Sequence, residues 1–180
     1  MENEPEIKNE KFRQELLAMK ERDQDLRSRI EKIDPKEFDG QFLKADIEHV
    51  ERLKEIIKEF GWPAISLVGE DGSNAVWLLV QHADHDLEFQ KECLELIKDA
   101  ESRGEAKKNH IAFLTDRVRV NSGQPQVFGT QFFKDENGKY APRPIENEST
   151  LDERRMTYGL DPFEDYLEFY RELNQKNRES

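Results

Sequence analysis

Residues 75–86 read AVWLLVQHADHD, an apolar run that ends abruptly in Gln81, His82, Asp84, His85 and Asp86. An imidazole changes protonation near neutral pH, so a histidine held among carboxylates is a natural general acid or base. If a helix carries the run through the histidines, His82 falls three, four and seven residues after Leu79, Leu78 and Ala75 and shares their face. His82 is therefore expected to point inward. A buried imidazole must satisfy both ring nitrogens or lose about 1 to 3 kcal/mol for each orphaned group, so polar residues from elsewhere must meet it. Asp86, four residues on, is one candidate to orient it, and Gln81 is a candidate ligand-binding group. The alternative is a core histidine tied to a backbone carbonyl. His85 is expected to be exposed, because HADHD resembles a junction between helices.

A second polar group lies further along. Asp116 and Arg117 fall together on a later helix, and Gly129-Thr130-Gln131 follows in a segment of strand character. In a strand Gly129 and Gln131 would point one way and Thr130 the other, and glycine there marks a bulge or a close backbone approach. We assign His82 and Asp116 to catalysis, Asp116 orienting or balancing charge, and assign Gln81, Arg117, Gln131 and Thr130 to ligand binding. The alternatives are an internal Asp116–Arg117 ion pair and an edge-strand glutamine. His82, His85, Asp86 and a distant His110 could together present nitrogen and oxygen ligands to a metal. Their i, i+3 spacing is weak on its own, HExxH is missing, and His110 follows Lys107-Lys108-Asn109 on what reads as a solvated turn. We expect neither a metal nor a cofactor. Phosphate-loop, dinucleotide and hydrolase-elbow motifs do not occur. Ser66 and Ser73 read as turn residues, and Cys93, the single cysteine, reads as a buried small hydrophobe.

These residues need elements to hold them. Phe12, Leu16, Met19, Leu26, Ile30 and Ile33 predict one long amphipathic helix whose seam is interrupted at Asp23, packed along the domain or, alternatively, in a coiled coil. Asp34-Pro35 and Asp39-Gly40 should break it. Leu43, Ile47, Val50, Ile57 and Phe60 predict the inner face of a second helix that stops at Gly61, with His49 on its surface. Residues 65–69 read as a connection and 70–73 as a turn, Ser73 capping a third, interior helix from Asn74. A fourth helix is predicted over 87–102, capped by Asp86, and a fifth over 106–118 with Ile111, Leu114 and Val118 inward. Residues 127–133 and 139–145 around Asn137-Gly138 predict a β-hairpin, its return strand confined to an edge by Pro142 and Pro144. Short helices over 151–158 and 162–173 close the chain.

The expected class is α+β, mainly α-helical, a helical domain with one β-hairpin in the C-terminal half. We divide it into N-terminal amphipathic helices over 1–60 packed on the main domain, a core over 61–173, and a polar tail over 174–180. Charged residues outnumber hydrophobic ones, 38% against 35%, but the apolar residues are grouped, which argues for a folded domain. The net charge of −12 argues against nucleic acid and anionic membranes as partners. No apolar run approaches the ~20 residues that span a bilayer, so a cytoplasmic location is the default expectation. Between Arg103 and Arg155, ten Lys and Arg meet eight Asp and Glu, a local +2 that makes this region the better host for an anionic ligand.

GWPAISLVGEDGSNAVWLLVQHADHD, LTDRVRVNSGQPQVFGTQF and PRPIENESTLDERRMTYGLDPFEDY together resemble a widespread bacterial family classed as a domain of unknown function, over residues 61–166. The resemblance implies that the QHAD and GTQ elements form one site, and His85 lies outside its pattern. The expected function is an enzyme using His82 acid–base chemistry on a small polar or anionic molecule, in a pocket closed by the Gly129–Gln131 segment and the fifth helix. The alternative is a noncatalytic ligand-binding or protein-interaction module that meets its partner through the N-terminal helices.

Overall fold

The computed structural model describes residues 7–29 and 35–179, the side chains of 35–39 and 176–179 excepted. The described residues form seven α-helices and one two-stranded antiparallel hairpin, so the chain is mainly α-helical as expected. Contacts divide it into two compact units, Met1–Ala106 and Lys107–Ser180. None of the described helices is long and apolar enough to cross a membrane.

The first unit holds α1 (Glu10–Ser28), α2 (Pro35–Phe60), α3 (Ile65–Gln81) and α4 (Leu87–Ser102). Asn9 caps α1 by accepting from the Phe12 N–H at 3.2 Å. Helix α1 packs chiefly on α3, and Arg13 fixes the pair by donating to both carboxylate oxygens of Asp71, at 2.8 and 2.5 Å. Arg52 of α2 reaches Glu15 of α1 at 2.5 Å. Leu16, Leu53, Ile56, Val68, Val76, Val80 and Ile97 are almost completely buried between the four helices. The coiled-coil alternative for α1 thus gives way to packing inside the unit. Residues 30–34, where Ile30, Ile33 and Asp34 were expected to end the first helix, lie outside the described residues.

Helix α2 departs from expectation twice. Pro35 is its first residue, where a missing N–H costs nothing, and the helix runs straight through Asp39-Gly40. A helical glycine costs only about 1 kcal/mol relative to alanine, and a long buried face outweighs it. That face is Ala45, His49, Val50, Leu53 and Ile56, whereas Leu43, Ile47 and Phe60 are exposed. The helix is rotated from the predicted stripe, which puts His49 inside at 4% exposure.

Helix α3 begins earlier than predicted. Residues 65–68 already form a helical turn, and the kink comes at Gly69, whose φ of 74° and ψ of 169° leave the helix for one residue. The positive φ is what requires glycine, and a side chain there would in addition crowd Asp71 Oδ1 at 3.0 Å and Ile7 Cδ1 at 3.1 Å. Ser73 lies buried within the helix rather than capping it. Asp86 caps α4 as expected, accepting from Phe89 N at 3.1 Å. Cys93 is fully buried on α4, and burial pushes its thiol pKa up.

The second unit holds α5 (Lys108–Asn121), β1 (Phe132–Lys134), β2 (Tyr140–Pro142), a 3-10 turn at Glu148–Thr150, α6 (Leu151–Thr157) and α7 (Phe163–Glu179). Ile111, Leu114 and Val118 point inward on α5 as predicted. The hairpin pairs Phe132 with Pro142 and Lys134 with Tyr140 across the Asn137-Gly138 turn. It is shorter than predicted, because residues 127–131 form no strand. Asn174 of α7 grips β2 by accepting from the Tyr140 N–H at 2.7 Å and donating to its carbonyl at 3.1 Å. Tyr170 stacks on Phe132 with ring centroids 3.8 Å apart. Helix α7 thereby covers a hairpin too small to be stable alone.

Candidate functional site

In the first unit the buried charges converge on His82. Helix α3 ends at Gln81, and His82 is its C-cap residue, the N–H of His82 being satisfied by the Leu78 and Leu79 carbonyls. The ring turns inward, 19% of its side chain exposed, with Nδ1 3.0 Å from each oxygen of Asp23. Asp23 lies at the interrupted seam position of α1 and is 2% exposed. Arg27, one turn on, donates through Nε to Asp23 at 2.9 Å and through an Nη to Asp46 at 2.9 Å, while its guanidinium lies over Phe42. Gln24 adds a further donor to Asp23 at 2.8 Å. Burial by itself would raise the Asp23 pKa, but the bond and charge of His82, aided by Gln24 and Arg27, lower it to about 2. Burial pushes the Asp46 carboxyl up and the His49 imidazole down.

The rest of the QHAD element is arranged around this pair. Gln81 is 8% exposed, and its Nε2 is buried without a hydrogen-bond partner among the described residues. Gln90 of α4, with no exposed surface, donates to the Val80 carbonyl at 3.1 Å and to Asp84 at 3.3 Å, tying the junction to the next helix. His85 is exposed as expected. Asp86 does not orient His82. It is taken up by the α4 cap and by an ion pair with Lys54 at 2.9 Å.

The second unit builds a different polar structure around residues 124–131. Asp116, with no exposed surface, accepts from the N–H groups of Val127, Phe128 and Thr130 at 2.6 to 3.2 Å and from Thr130 Oγ1 at 2.9 Å. Burial raises the pKa of this carboxyl against the pull of those donors. Gln131 donates to Thr130 Oγ1 at 3.1 Å and accepts from Arg117 at 3.0 Å. Asp116, Thr130, Gln131 and Arg117 are thus one hydrogen-bonded chain. Gln126, fully buried, accepts from the Gln131 N–H and donates to the Gln131 and Arg143 carbonyls. Arg155, 2% exposed, donates to the carbonyls of Phe128 and Asp161 and lies over the rings of Phe163 and Tyr166. Gly129 has φ of +69°, and a Cβ there would stand 2.7 Å from Phe163 Cε2. What its missing side chain admits is an aromatic ring of α7. The strand alternation expected for 129–131 is accordingly replaced by a clamped loop.

Gln81 and His82 belong to the first unit, while Asp116, Arg117, Thr130 and Gln131 belong to the second. The sequence reasoning missed Asp23, Arg27, Asp46, His49, Gln126 and Arg155. Asp23 carried a signal, since a carboxylate in an apolar seam must find a partner if the helix is packed. His110, expected in solvent, is 5% exposed on α5 because its helix turns that face inward with Ile111 and Leu114.

A family model described as a family of unknown function (DUF6624) matches residues 10–175. The chain belongs to that family. Its span reaches well upstream of the resemblance read over residues 61–166, and takes in α1 and α2 with Asp23, Asp46 and His49. No curated protein and no solved structure matches the chain.

Proposed function

We propose that the protein is an enzyme acting on a small polar or anionic molecule, with His82 as the proton-transfer residue. The observation that carries this reading is the buried Asp23 carboxylate 3.0 Å from Nδ1 of a partly exposed imidazole. A carboxylate so placed fixes the ring and its tautomer, and leaves Nε2 as the atom on which a proton moves. Asp23 is a positioning residue here. The unpartnered Nε2 of Gln81, the neighbouring residue, supplies a donor for which a ligand oxygen is the missing acceptor. In the second unit, Arg117 and Gln131 form the outer end of the hydrogen-bonded chain and are the groups we assign to holding a ligand, with Thr130 behind them. Asp116, sealed from solvent, acts as the positioning residue of that loop.

The test is turnover of a panel of small carboxylates, phosphates and amides by the full chain, read by mass spectrometry, with H82N beside it. H82N is expected to lower the turnover of any accepted compound by about 10² to 10⁴-fold with only a modest fall in the unfolding midpoint, because the Asn amide can still donate to Asp23 in place of Nδ1. Undiminished turnover by H82N contradicts the proposal. The noncatalytic binding module gains if the panel yields binding without turnover and H82N acts mainly by lowering thermal stability.

A further inference from the structure

One buried group of the first unit takes no part in the chemistry above. His49 is 4% exposed, and neither of its ring nitrogens has a hydrogen-bond partner among the described residues. Buried imidazoles are ordinarily satisfied, so an orphan of this kind points to something that the protein itself does not supply. His49 and Asp46 stand three residues apart on α2, and α1 brings Asp23 against them. One ligating atom from each of the three lies within 4.8 Å of the other two.

We infer that Asp23, Asp46 and His49 form a binding site for one divalent transition-metal ion. The donor set of one imidazole and two carboxylates suits zinc, or manganese as a harder alternative, and water would complete the coordination. Bonds of about 2.0 to 2.2 Å require the donors to draw in slightly, which rotation of the 15%-exposed Asp46 side chain allows. His82 also holds Asp23, with Nδ1 3.0 Å from the carboxylate, the kind of outer hydrogen bond that orients a metal-ligating carboxylate. Arg27 bonds both carboxylates and competes with an ion for them. Its side chain is 31% exposed and can swing to solvent. His49 also lines a surface cleft of about 350 Å³ together with Glu15, Arg22, Glu48 and Arg52. The inference stands on the donor geometry and the orphaned imidazole, independently of the proton-transfer role given to His82.

The full chain, stripped with a chelator, is titrated with Zn²⁺ by calorimetry and with Co²⁺ by visible spectroscopy. One ion per chain is expected. H49Q and D46N should each weaken binding by at least about 10-fold, and H49Q should lose the cobalt bands of nitrogen ligation. R27Q should bind more tightly than the natural chain, and H82N should keep stoichiometric binding with a loss of up to about 10-fold. Far-UV circular dichroism checks each fold, and D46N, altering a side chain nearer the surface, carries the test if H49Q does not fold. No binding by the natural chain, or binding by folded D46N and H49Q as tight as that of the natural chain, overturns the inference.

Discussion

Replacing Asp116 with alanine is expected to remove about 3 to 5 kcal/mol of stability, measured by urea denaturation of the full chain. Three backbone N–H groups and one hydroxyl converge on this carboxylate, and all of them belong to residues 127–130. Each donor left buried without an acceptor costs about 1 to 3 kcal/mol, and partial relaxation of the loop keeps the total below the simple sum. D116N is expected to fall between the natural chain and D116A, because its amide turns one acceptor oxygen into a donor facing other donors. Thr130→Val should cost less, about 1 to 3 kcal/mol, as it removes the hydroxyl's bond to Asp116 and the one that the hydroxyl accepts from Gln131 while leaving the backbone donors in place. A D116A protein within about 1 kcal/mol of the natural one would show that Gln126, Arg155 and Arg154, which donates to the Val127 carbonyl at 2.9 Å, hold the loop without it.

Asp23→Ala is the second large effect, expected at about 2 to 4 kcal/mol by the same measurement. The carboxylate is nearly sealed, and its removal leaves the Arg27 guanidinium and the His82 ring without their shared partner. Both retain some exposure, so water can take over part of the loss, and the figure sits below that for a fully enclosed pair. Asp23→Asn keeps the shape and one acceptor oxygen and is expected to cost about half as much. An unchanged stability in D23A would mean that the Asp23 contacts contribute nothing net to folding.

Much of this architecture was written in local patterns. The apolar spacing of residues 87–102 with Asp86 before it, and Asn137-Gly138 between two aromatic segments, specify a capped helix and a hairpin without help from distant residues. The inward turn of His82 followed from its spacing after Leu78 and Leu79. Its partner did not follow, because Asp23 lies 59 residues upstream and only packing of α1 on α3 brings it there. Asp86, the local candidate, is occupied at the next helix. Helix α2 was misread for a different reason. Leu43 and Ile47 define one apolar stripe and Ala45, Leu53 and Ile56 another, both at helical spacing, and tertiary packing chose the one that carries His49. The same ambiguity conceals the one cluster of three residues able to ligate a metal found among the described residues, because the exposed stripe puts His49 on the surface. Residues 127–131 have the composition of a strand, yet their N–H groups are captured by the Asp116 and Gln126 side chains, which no period-two pattern reveals.

The most direct test of the account is the protonation of the His82 ring, read from its two nitrogen chemical shifts by long-range proton–nitrogen correlation in the full chain. With a neutral ring, the Asp23 carboxylate should keep the proton on Nδ1 and leave Nε2 bare, and D23A should shift that tautomer equilibrium measurably. A proton residing on Nε2 instead, or His82 shifts indifferent to D23A, would contradict the claim that Asp23 sets the ring for proton transfer.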